Sequence, residues 1–252
     1  MTDDRVLIEV CLDDLAGVRV AEEAGADRIE LCAALADGGI TPSIGTVAAA
    51  LRLARRTGIN VLIRQRPGDF VFSDDEVAAM ADDVLAIRRL PNPGGVPLSF
   101  VIGALTADRA IDRAAIGRLR EACGDAPVTF HKAFDQLADK AAGLELLAEL
   151  RIDRVLTSGG RDTAIEGVDD LKALVAQSNS RVAILAGGGV RPSNVADVVR
   201  RSGVREVHLR AAELVPSADA GGTPTAYDSG YRAVTSARIV GELVAALGRS
   251  AA

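Results

Sequence analysis

The chain has 252 residues, of which 48% are hydrophobic and 25% are charged. These proportions are close to the globular average and exclude a disordered chain, a collagen-like chain and a coiled coil. Twenty-nine basic and 35 acidic residues give a net charge of −6, and aromatic residues contribute 3%, so nucleic acid is not expected as a partner.

The first residues are acidic and lead directly into an apolar run, so no secretory signal is expected in this sequence. The longest uncharged stretch, residues 90–107, is interrupted by prolines and glycines and is not expected to span a membrane. Three scattered cysteines provide no disulfide framework, which is typical of a reducing compartment. We therefore predict a cytoplasmic protein with no membrane partner.

Eight short apolar runs recur along the chain, and a segment with helical periodicity follows each of them. The predicted strands span residues 7–11, 28–32, 61–66, 98–103, 128–132, 154–158, 182–187 and 206–210. Their starts lie roughly 20–40 residues apart, which is the spacing of βα units. The pattern predicts an α/β fold, a (β/α)8 TIM barrel at about residues 6–212 within a single domain over 1–252. A doubly wound open sheet is the alternative, but none of the runs has the features of an edge strand.

The remaining residues, 213–252, are predicted to form a C-terminal loop and a closing helix. Gly, Ser, Thr, Ala and Asp dominate residues 215–229, which indicates a long mobile loop after the eighth strand. The closing helix is predicted over about residues 232–247. A scaffold that recruits a partner through this loop is therefore one function to consider.

Polar side chains alternate with apolar ones along the predicted strands. Residues two apart share one face of a strand, and the apolar face has to pack against the helices. The polar side chains are therefore predicted to point into the barrel, toward the strand ends where active sites of this architecture lie. These positions are Glu9, Cys11, Glu30, Cys32, Arg64, Arg66, Thr129, His131, Thr157, His208 and Arg210.

Buried charges need partners, so the polar interior has two interpretations. The first is an ion-pair network of Glu9, Glu30, Arg64 and Arg66 that fills the barrel. The second is an active site, because His131 and His208 are the two histidines of the chain and can serve as acid and base or as ligands. Its catalytic candidates are Glu9, Glu30, Arg64, His131 and His208.

A glycine run follows the seventh predicted strand. Glycines at such a position let backbone N–H groups approach an anion, and phosphate sites in these barrels commonly use the loops after strands seven and eight. The same run could also serve only to turn the chain tightly. The anion-binding candidates are Arg66, Gly187, Gly188, Gly189 and Arg210.

Cys11 and Cys32 occupy equivalent positions on sequential strands, so their thiols are expected about 5 Å apart and within reach of one ion. Two soft sulfur ligands favour Cu(I) over magnesium or calcium. Buried cysteines that act as small apolar residues are the alternative, and Cys123, within a helix, is assigned to the core.

Several long motifs are similar to those of one family. They are Ile-Glu-Val-Cys at 8–11, Gly-Ala-Asp-Arg-Ile-Glu-Leu-Cys at 25–32, Gly-Gly-Ile-Thr-Pro-Ser at 38–43, Ile-Arg-Gln-Arg-Pro-Gly-Asp-Phe at 63–70, Thr-Phe-His-Lys-Ala-Phe-Asp at 129–135 and Gly-Gly-Gly at 187–189. The chain resembles the CutC family, named for copper homeostasis, over roughly residues 7–210. The resemblance implies a TIM barrel, a cytoplasmic role in copper handling, and Cu(I) binding at Cys11 and Cys32. The chain departs from the family at Lys132, where arginine is usual. It also departs in the eighth-strand motif, where the positive charge lies at Arg210, two residues after His208.

Two functional hypotheses follow. The first is a copper homeostasis protein that binds Cu(I) inside the barrel. The second is an enzyme that acts on a small anionic substrate, phosphorylated or sugar-like, with His131 and Glu30 or Glu9 moving protons. The ligand is accordingly a copper ion or a small anion, and a homo-oligomer stays open at this stage.

Overall fold

Eight parallel strands close into a barrel in the order of the chain in the computed structural model, which describes residues 5–217 and 229–249. The barrel strands are β1 (Leu7–Leu12), β2 (Arg28–Leu31), β3 (Gly58–Leu62), β4 (Leu98–Ile102), β5 (Val128–Phe130), β6 (Arg154–Thr157), β7 (Ala183–Ala186) and β8 (Glu206–Leu209). The helices are α1 (Leu15–Glu23), α2 (Ile44–Leu53), α3 (Asp74–Arg88), α4 (Arg113–Cys123), α5 (Lys140–Glu149), α6 (Val168–Ser178), α7 (Val195–Ser202) and α8 (Ala237–Ala246). The predicted (β/α)8 TIM barrel is confirmed.

Short polar side chains set the helix starts. The Asp14 carboxylate accepts from the backbone N–H of Gly17 at the start of α1. At α3 the Ser73 hydroxyl and the Glu76 carboxylate each accept from the other residue's backbone N–H, which is a capping box. Such caps satisfy backbone donors that have no partner within the helix.

The main hydrophobic core lies between the outer faces of the strands and the helices. Ile8 and Val10 of β1 and Ile29 of β2 are fully buried, as are Val18 and Ala21 of α1. Burial of one large aliphatic side chain stabilises the fold by about 1.5–3 kcal/mol. This layer therefore holds the helices on the barrel and leaves the barrel interior to the other face of each strand.

Ion pairs fill the lower interior of the barrel, toward the starts of the strands. Arg28 Nε donates to Glu9 Oε2 at 2.8 Å, and Arg28 also pairs with Glu206. Glu206 in turn accepts from Arg154 Nε at 2.7 Å, and Asn60 donates to Glu9. An ion-pair network thus exists inside the barrel. Of the residues predicted for it, Glu9 belongs to it and Glu30 joins it through His208, whereas Arg66 pairs outside it with Asp69 and Glu76.

The third strand differs from its predicted span of 61–66, because it begins at Gly58 and ends at Leu62. The chain leaves the barrel sheet soon afterwards, since the backbone of Arg64 pairs with Thr41 in the loop after β2 instead of with a strand. At the other end, β3 begins at Gly58 because this residue pairs with Arg28 of β2 and its N–H donates to the carbonyl of Asp27.

The C-terminal segment also differs from its prediction. β9 (Ala212–Pro216) and β10 (Tyr231–Thr235) form an antiparallel pair. The first residues of the predicted 215–229 loop therefore belong to β9, and the first residues of the predicted 232–247 helix belong to β10. α8 begins at Ala237, because the Ser236 side chain caps it and the preceding residues already pair with β9. Residues 218–228 of the predicted loop lie outside the described residues.

Within residues 5–217 and 229–249, every helix is too short or too polar to cross a lipid bilayer.

Candidate functional site

The C-terminal ends of the strands surround a cavity of about 180 Å³. Strands β1, β2, β3, β6 and β8 contribute to it, together with the loops after β2, β3 and β5. Its lining residues are Cys11, Glu30, Cys32, Leu35, Gly38, Leu62, Arg64, Phe70, His131, Lys132, Leu156 and His208. The cavity is mostly apolar with a few polar groups, as is usual for small-ligand sites, and it lies at the face where such barrels carry their sites.

Three ligating side chains come together on one side of the cavity. One ligand atom each of Cys11, Glu30 and His208 lies within 4.8 Å of the other two, and all three residues are buried. Strand pairing brings the three side chains together. Cys11 of β1 lies opposite Glu30 of β2, and His208 of β8 lies opposite Glu9, which is two residues before Cys11 on β1. A thiol, a carboxylate and an imidazole can together bind a transition metal.

Glu9 lies below this cluster, does not line the cavity, and orients His208. Its Oε1 lies 3.0 Å from His208 Nδ1. Burial raises the pKa of Glu9, but the charges of Arg28 and His208 outweigh that effect, and the pKa falls to about 2. The carboxylate is therefore ionised and accepts from Nδ1–H, which leaves Nε2 directed to the side of Glu30, 3.5 Å away.

The electrostatics of the cluster follow from burial and from close charges. Burial raises the pKa of Glu30, and the negative charge of Glu9 raises it further. The charge of His208 opposes this shift, and the resulting pKa is about 7. Burial acts to lower the pKa of His208, but its contacts with Cys11, Glu9 and Glu30 raise it well above the usual value. Without a metal, the imidazole is therefore protonated at neutral pH, and Glu30 titrates near neutral pH beside it.

Cys32 lines the cavity but is not part of the three-residue cluster. The prediction that Cys11 and Cys32 lie at equivalent positions is wrong, because the register places Cys32 two residues above the partner of Cys11, about 6.6 Å further along the strand. Barrel closure imposes such a stagger between neighbouring strands. Burial raises the pKa of Cys32 well above the usual value, with Glu30 and Cys11 adding to the shift, so this thiol carries its proton at neutral pH.

Arg64 ties together two loops at the cavity. Its Nη1 donates to the carbonyls of Gly38 and Gly39, and its Nη2 donates to the carbonyl of Gly68. The guanidinium lies 4.8 Å from the ring centroid of Phe70, a cation–π contact. Arg64 Nε is buried and has no hydrogen-bond partner.

His131 is held in a neutral form on the opposite side from the cluster. Its Nδ1 accepts from the backbone N–H of Ala133 at 3.2 Å, so the ring proton is on Nε2. Burial and the Arg64 charge lower the pKa of His131 to about 3. Nε2–H is buried without a partner, which makes it a donor available to a ligand.

The structure does not bring the predicted anion-binding residues to this cavity. Arg66 Nε donates to Glu76 Oε1 at 2.6 Å, at the start of α3, and Arg210 lies 3.9 Å from Asp13. Gly187, Gly188 and Gly189 do not line the cavity either. At Gly187 a Cβ would lie 2.5 Å from Leu156 and 3.3 Å from His208, so this glycine permits close packing behind the cavity.

Sequence reasoning missed residues on both sides of the cavity. Arg28, Arg154 and Glu206 share the inward alternation with the predicted residues, so the same pattern, followed back to the strand starts, would have found them. Thr157 was predicted to face inward, but β6 pairs Arg154 with Thr129, which turns Thr157 outward to donate to Asp135.

Lys132 reaches the rim of the cavity because β5 ends at Phe130 and a 3-10 turn at Lys132–Gln136 follows. The alternation used in sequence reasoning therefore no longer applies at this residue. Lys132 Nζ donates to Asp135 Oδ2 at 2.5 Å and to Ser158 Oγ at 2.7 Å. Its charge is thus already compensated.

These features define a (β/α)8 barrel with a buried thiol, carboxylate and imidazole in reach of one ion. The model of the CutC family matches residues 6–213. The chain is 47% identical over 211 residues to a CutC family protein of Mesorhizobium japonicum, which covers 84% of this chain and 80% of the relative. It is 43% identical over 219 residues to one of Caulobacter vibrioides, with 87% and 86% covered.

A solved structure gives the same result. CutC of Streptococcus agalactiae, a proposed copper homeostasis protein, superposes with a TM-score of 0.74 at 33% identity, over 81% of this chain and 97% of that one. The chain therefore belongs to the CutC family, as its motifs indicated.

Proposed function

We propose that this chain binds Cu(I) as its cargo in the barrel mouth and acts in copper homeostasis in the cytoplasm. The observation that carries the proposal is the buried cluster of Cys11, Glu30 and His208, whose ligand atoms lie within 4.8 Å of one another. The membership in a family named for copper homeostasis supports the same assignment. The three cysteines are free thiols, which agrees with a reducing compartment where Cu(I) persists.

The donor chemistry fits Cu(I) through two of the three side chains. Thiolate and imidazole are ligands that copper prefers, whereas the Glu30 carboxylate is a harder donor, suited to balancing charge beside the ion. Glu9 supplies the hydrogen bond to the far nitrogen of His208 that ligating histidines usually have. The residues that would hold the ion are therefore Cys11 and His208, with Glu30 next to them, and binding would displace the proton that His208 Nε2 carries without a metal.

Cys32 is the second thiol predicted as a ligand, and it lines the same cavity. Its ligation requires removal of a proton from a buried thiol whose pKa is raised, and the stagger of the strands separates it from Cys11. The two ligand sets, Cys11 with His208 and Cys11 with Cys32, both depend on Cys11.

The test is a competition titration of Cu(I) against a chromophoric chelator under anaerobic conditions. We expect the wild type to withdraw one equivalent of Cu(I) and Cys11→Ala to withdraw none. Cys123→Ala is the matched control, because it removes a thiol that is buried in α4, away from the cavity. Equal Cu(I) binding by Cys11→Ala and the wild type would contradict the proposal.

The ligand set is resolved by two further variants in the same titration. Loss of binding in His208→Ala with retention in Cys32→Ala would support the thiol and imidazole pair. The reverse result would support the two thiols. The acid/base enzyme stays a prediction, and of its five catalytic candidates Glu9 does not line the cavity.

A further inference from the structure

Two buried nitrogens line one cavity without a hydrogen-bond partner. Among the residues that the structure describes, Arg64 Nε and His131 Nε2 are the buried side-chain polar atoms in this condition. Both side chains line the cavity at the barrel mouth. Leaving a buried polar group unpaired costs about 1–3 kcal/mol, and more for a charged group. Two such groups at one cavity indicate that a ligand completes their hydrogen bonds.

Both atoms are donors, which defines the ligand atom that they require. An arginine N–H is always a donor. The Ala133 backbone N–H occupies His131 Nδ1 as acceptor, and the low pKa of His131 keeps the ring neutral with its proton on Nε2. The ligand must therefore present acceptor oxygens to both nitrogens.

The two side chains are also fixed in place before any ligand binds. Three backbone carbonyls hold the guanidinium of Arg64. The His131 ring contacts the rings of Phe70 and Phe130, with centroid distances of 4.8 and 5.7 Å. Gly103 lies against the imidazole so closely that a Cβ there would be 2.2 Å from the ring. Such preorganisation reduces the entropy that binding costs.

Charge and shape narrow the ligand class. Arg64 is 6% exposed, and its guanidinium donates to three backbone carbonyls and forms no ion pair with a described carboxylate, so its positive charge has no ion-pair partner at the cavity. Lys132, at the rim, is already paired with Asp135. One free positive charge matches a monoanion better than a phosphate dianion, and the phosphate-type glycine loop at 187–189 does not reach the cavity.

The walls of the cavity are apolar, formed largely by Leu35, Leu62, Phe70 and Leu156. Its volume of about 180 Å³ is below the roughly 300–1,000 Å³ of pockets for drug-sized ligands. A compact ligand with one anionic end and a short hydrocarbon body satisfies both conditions.

We propose that the cavity binds a small organic monocarboxylate, whose oxygens accept from Arg64 Nε–H and His131 Nε2–H and whose short apolar body lies against Leu62 and Leu156. This site does not depend on copper binding, since it uses neither Cys11 nor His208.

The experiment measures the melting temperature and then the affinity of the metal-free protein by calorimetry. The probes are acetate, butyrate, isobutyrate and pyruvate, with butyramide as the uncharged counterpart of butyrate and inorganic phosphate as the dianion. We expect at least one monocarboxylate to raise the melting temperature in a saturable manner, and butyramide and phosphate to have no effect. No shift with any monocarboxylate, or equal shifts with butyrate and butyramide, would overturn the proposal.

Variants locate the site. His131→Phe keeps the ring and removes the donor, and it should weaken monocarboxylate binding about tenfold to hundredfold, as expected for a lost hydrogen bond to a charged group. Arg66→Gln is the matched control, since this nearby arginine is paired with Glu76 outside the cavity and should bind normally. An unchanged affinity in His131→Phe would reject the assignment.

Copper and carboxylate binding are separated by one more variant. Cys11→Ala should lose Cu(I) and retain the monocarboxylate. If Cu(I) binds normally while no monocarboxylate binds, only the present inference fails. If the monocarboxylate binds and Cu(I) does not, only the copper proposal fails.

Discussion

Replacement of Arg28 by methionine tests the ion-pair network in the lower barrel. Arg28 bridges Glu9 and Glu206, and the three side chains are 13%, 1% and 11% exposed. Methionine fills a similar volume but leaves the Glu9 carboxylate buried beside Asn60 and His208, without its cationic partner on β2. Glu206 keeps its bond to Arg154. The loss is therefore concentrated on Glu9.

The expected size follows from burial. Removing one member of a buried ion pair costs about 3–5 kcal/mol when the remaining charge is left without a partner. Here the protonated His208 still lies 3.0 Å from Glu9, so we expect the lower end of this range, about 3 kcal/mol. For a chain of this length each kcal/mol lowers the melting temperature by about 2–4 °C, so Arg28→Met should melt about 6–12 °C below the wild type.

The assay is thermal unfolding at neutral pH, followed by circular dichroism. Arg113→Met is the matched control, because its ion pair with Glu149 is more than 60% exposed on both sides and should contribute less than about 1 kcal/mol. Adding Glu9→Gln to Arg28→Met removes the stranded charge and should restore part of the lost melting temperature. If Arg28→Met melts no lower than Arg113→Met, the network does not stabilise the barrel and the reasoning is refuted.

The same network predicts a pH dependence with a defined sign. The pKa of Glu9 is about 2 in the folded protein, below the ordinary 4.5. Its ionised form therefore stabilises the fold above about pH 4.5, and this contribution disappears as the pH falls toward 2. The difference in melting temperature between the wild type and Arg28→Met should accordingly be smaller at pH 3 than at pH 7. A constant difference would contradict the assignment of the shift to Arg28.

Three further predictions concern other positions. Gly103→Ala should displace His131, since the added Cβ would lie 2.2 Å from the ring, and calorimetry should show weaker monocarboxylate binding. In an NMR pH titration of the two histidines, His131 should stay neutral down to about pH 4 while His208 titrates above its usual range, and a normal pKa for both would contradict the site electrostatics. Glu22→Ala should lower the free energy of unfolding, measured with urea, by about 3 kcal/mol or more, because one buried carboxylate oxygen of Glu22 accepts from the backbone N–H groups of residues 55, 56 and 57. A change below about 1 kcal/mol would contradict this prediction.

The sequence by itself determined the architecture and the location of the site. Eight near-continuous apolar runs can be buried only in a sheet covered on both faces, so their number and spacing led to a (β/α)8 barrel. Alternation within β1, β2 and β8 placed Cys11, Glu30 and His208 inside it, where the structure has them together. The motifs indicated the CutC family, and the comparisons confirmed it.

The sequence did not predict the ends of strands and helices where no strong hydrophobic pattern marks them. The start of β3 at Gly58 depends on its pairing with Arg28 of β2 and on the bond from Ile59 N–H to the carbonyl of Pro97, which are contacts with two other parts of the chain. The strand at Tyr231–Thr235 exists because it pairs with β9, and its residues taken alone were consistent with the beginning of a helix. Long-range pairing overrides local preference at both places.

The partners within the barrel were decided by tertiary structure alone. Alternation along a strand fixes the face on which a side chain lies, but it does not fix the offset between one strand and the next. Closure of the barrel sets that offset through the stagger of its strands, and it places Cys11 opposite Glu30 instead of Cys32. For the same reason Arg28 is the partner of Glu9.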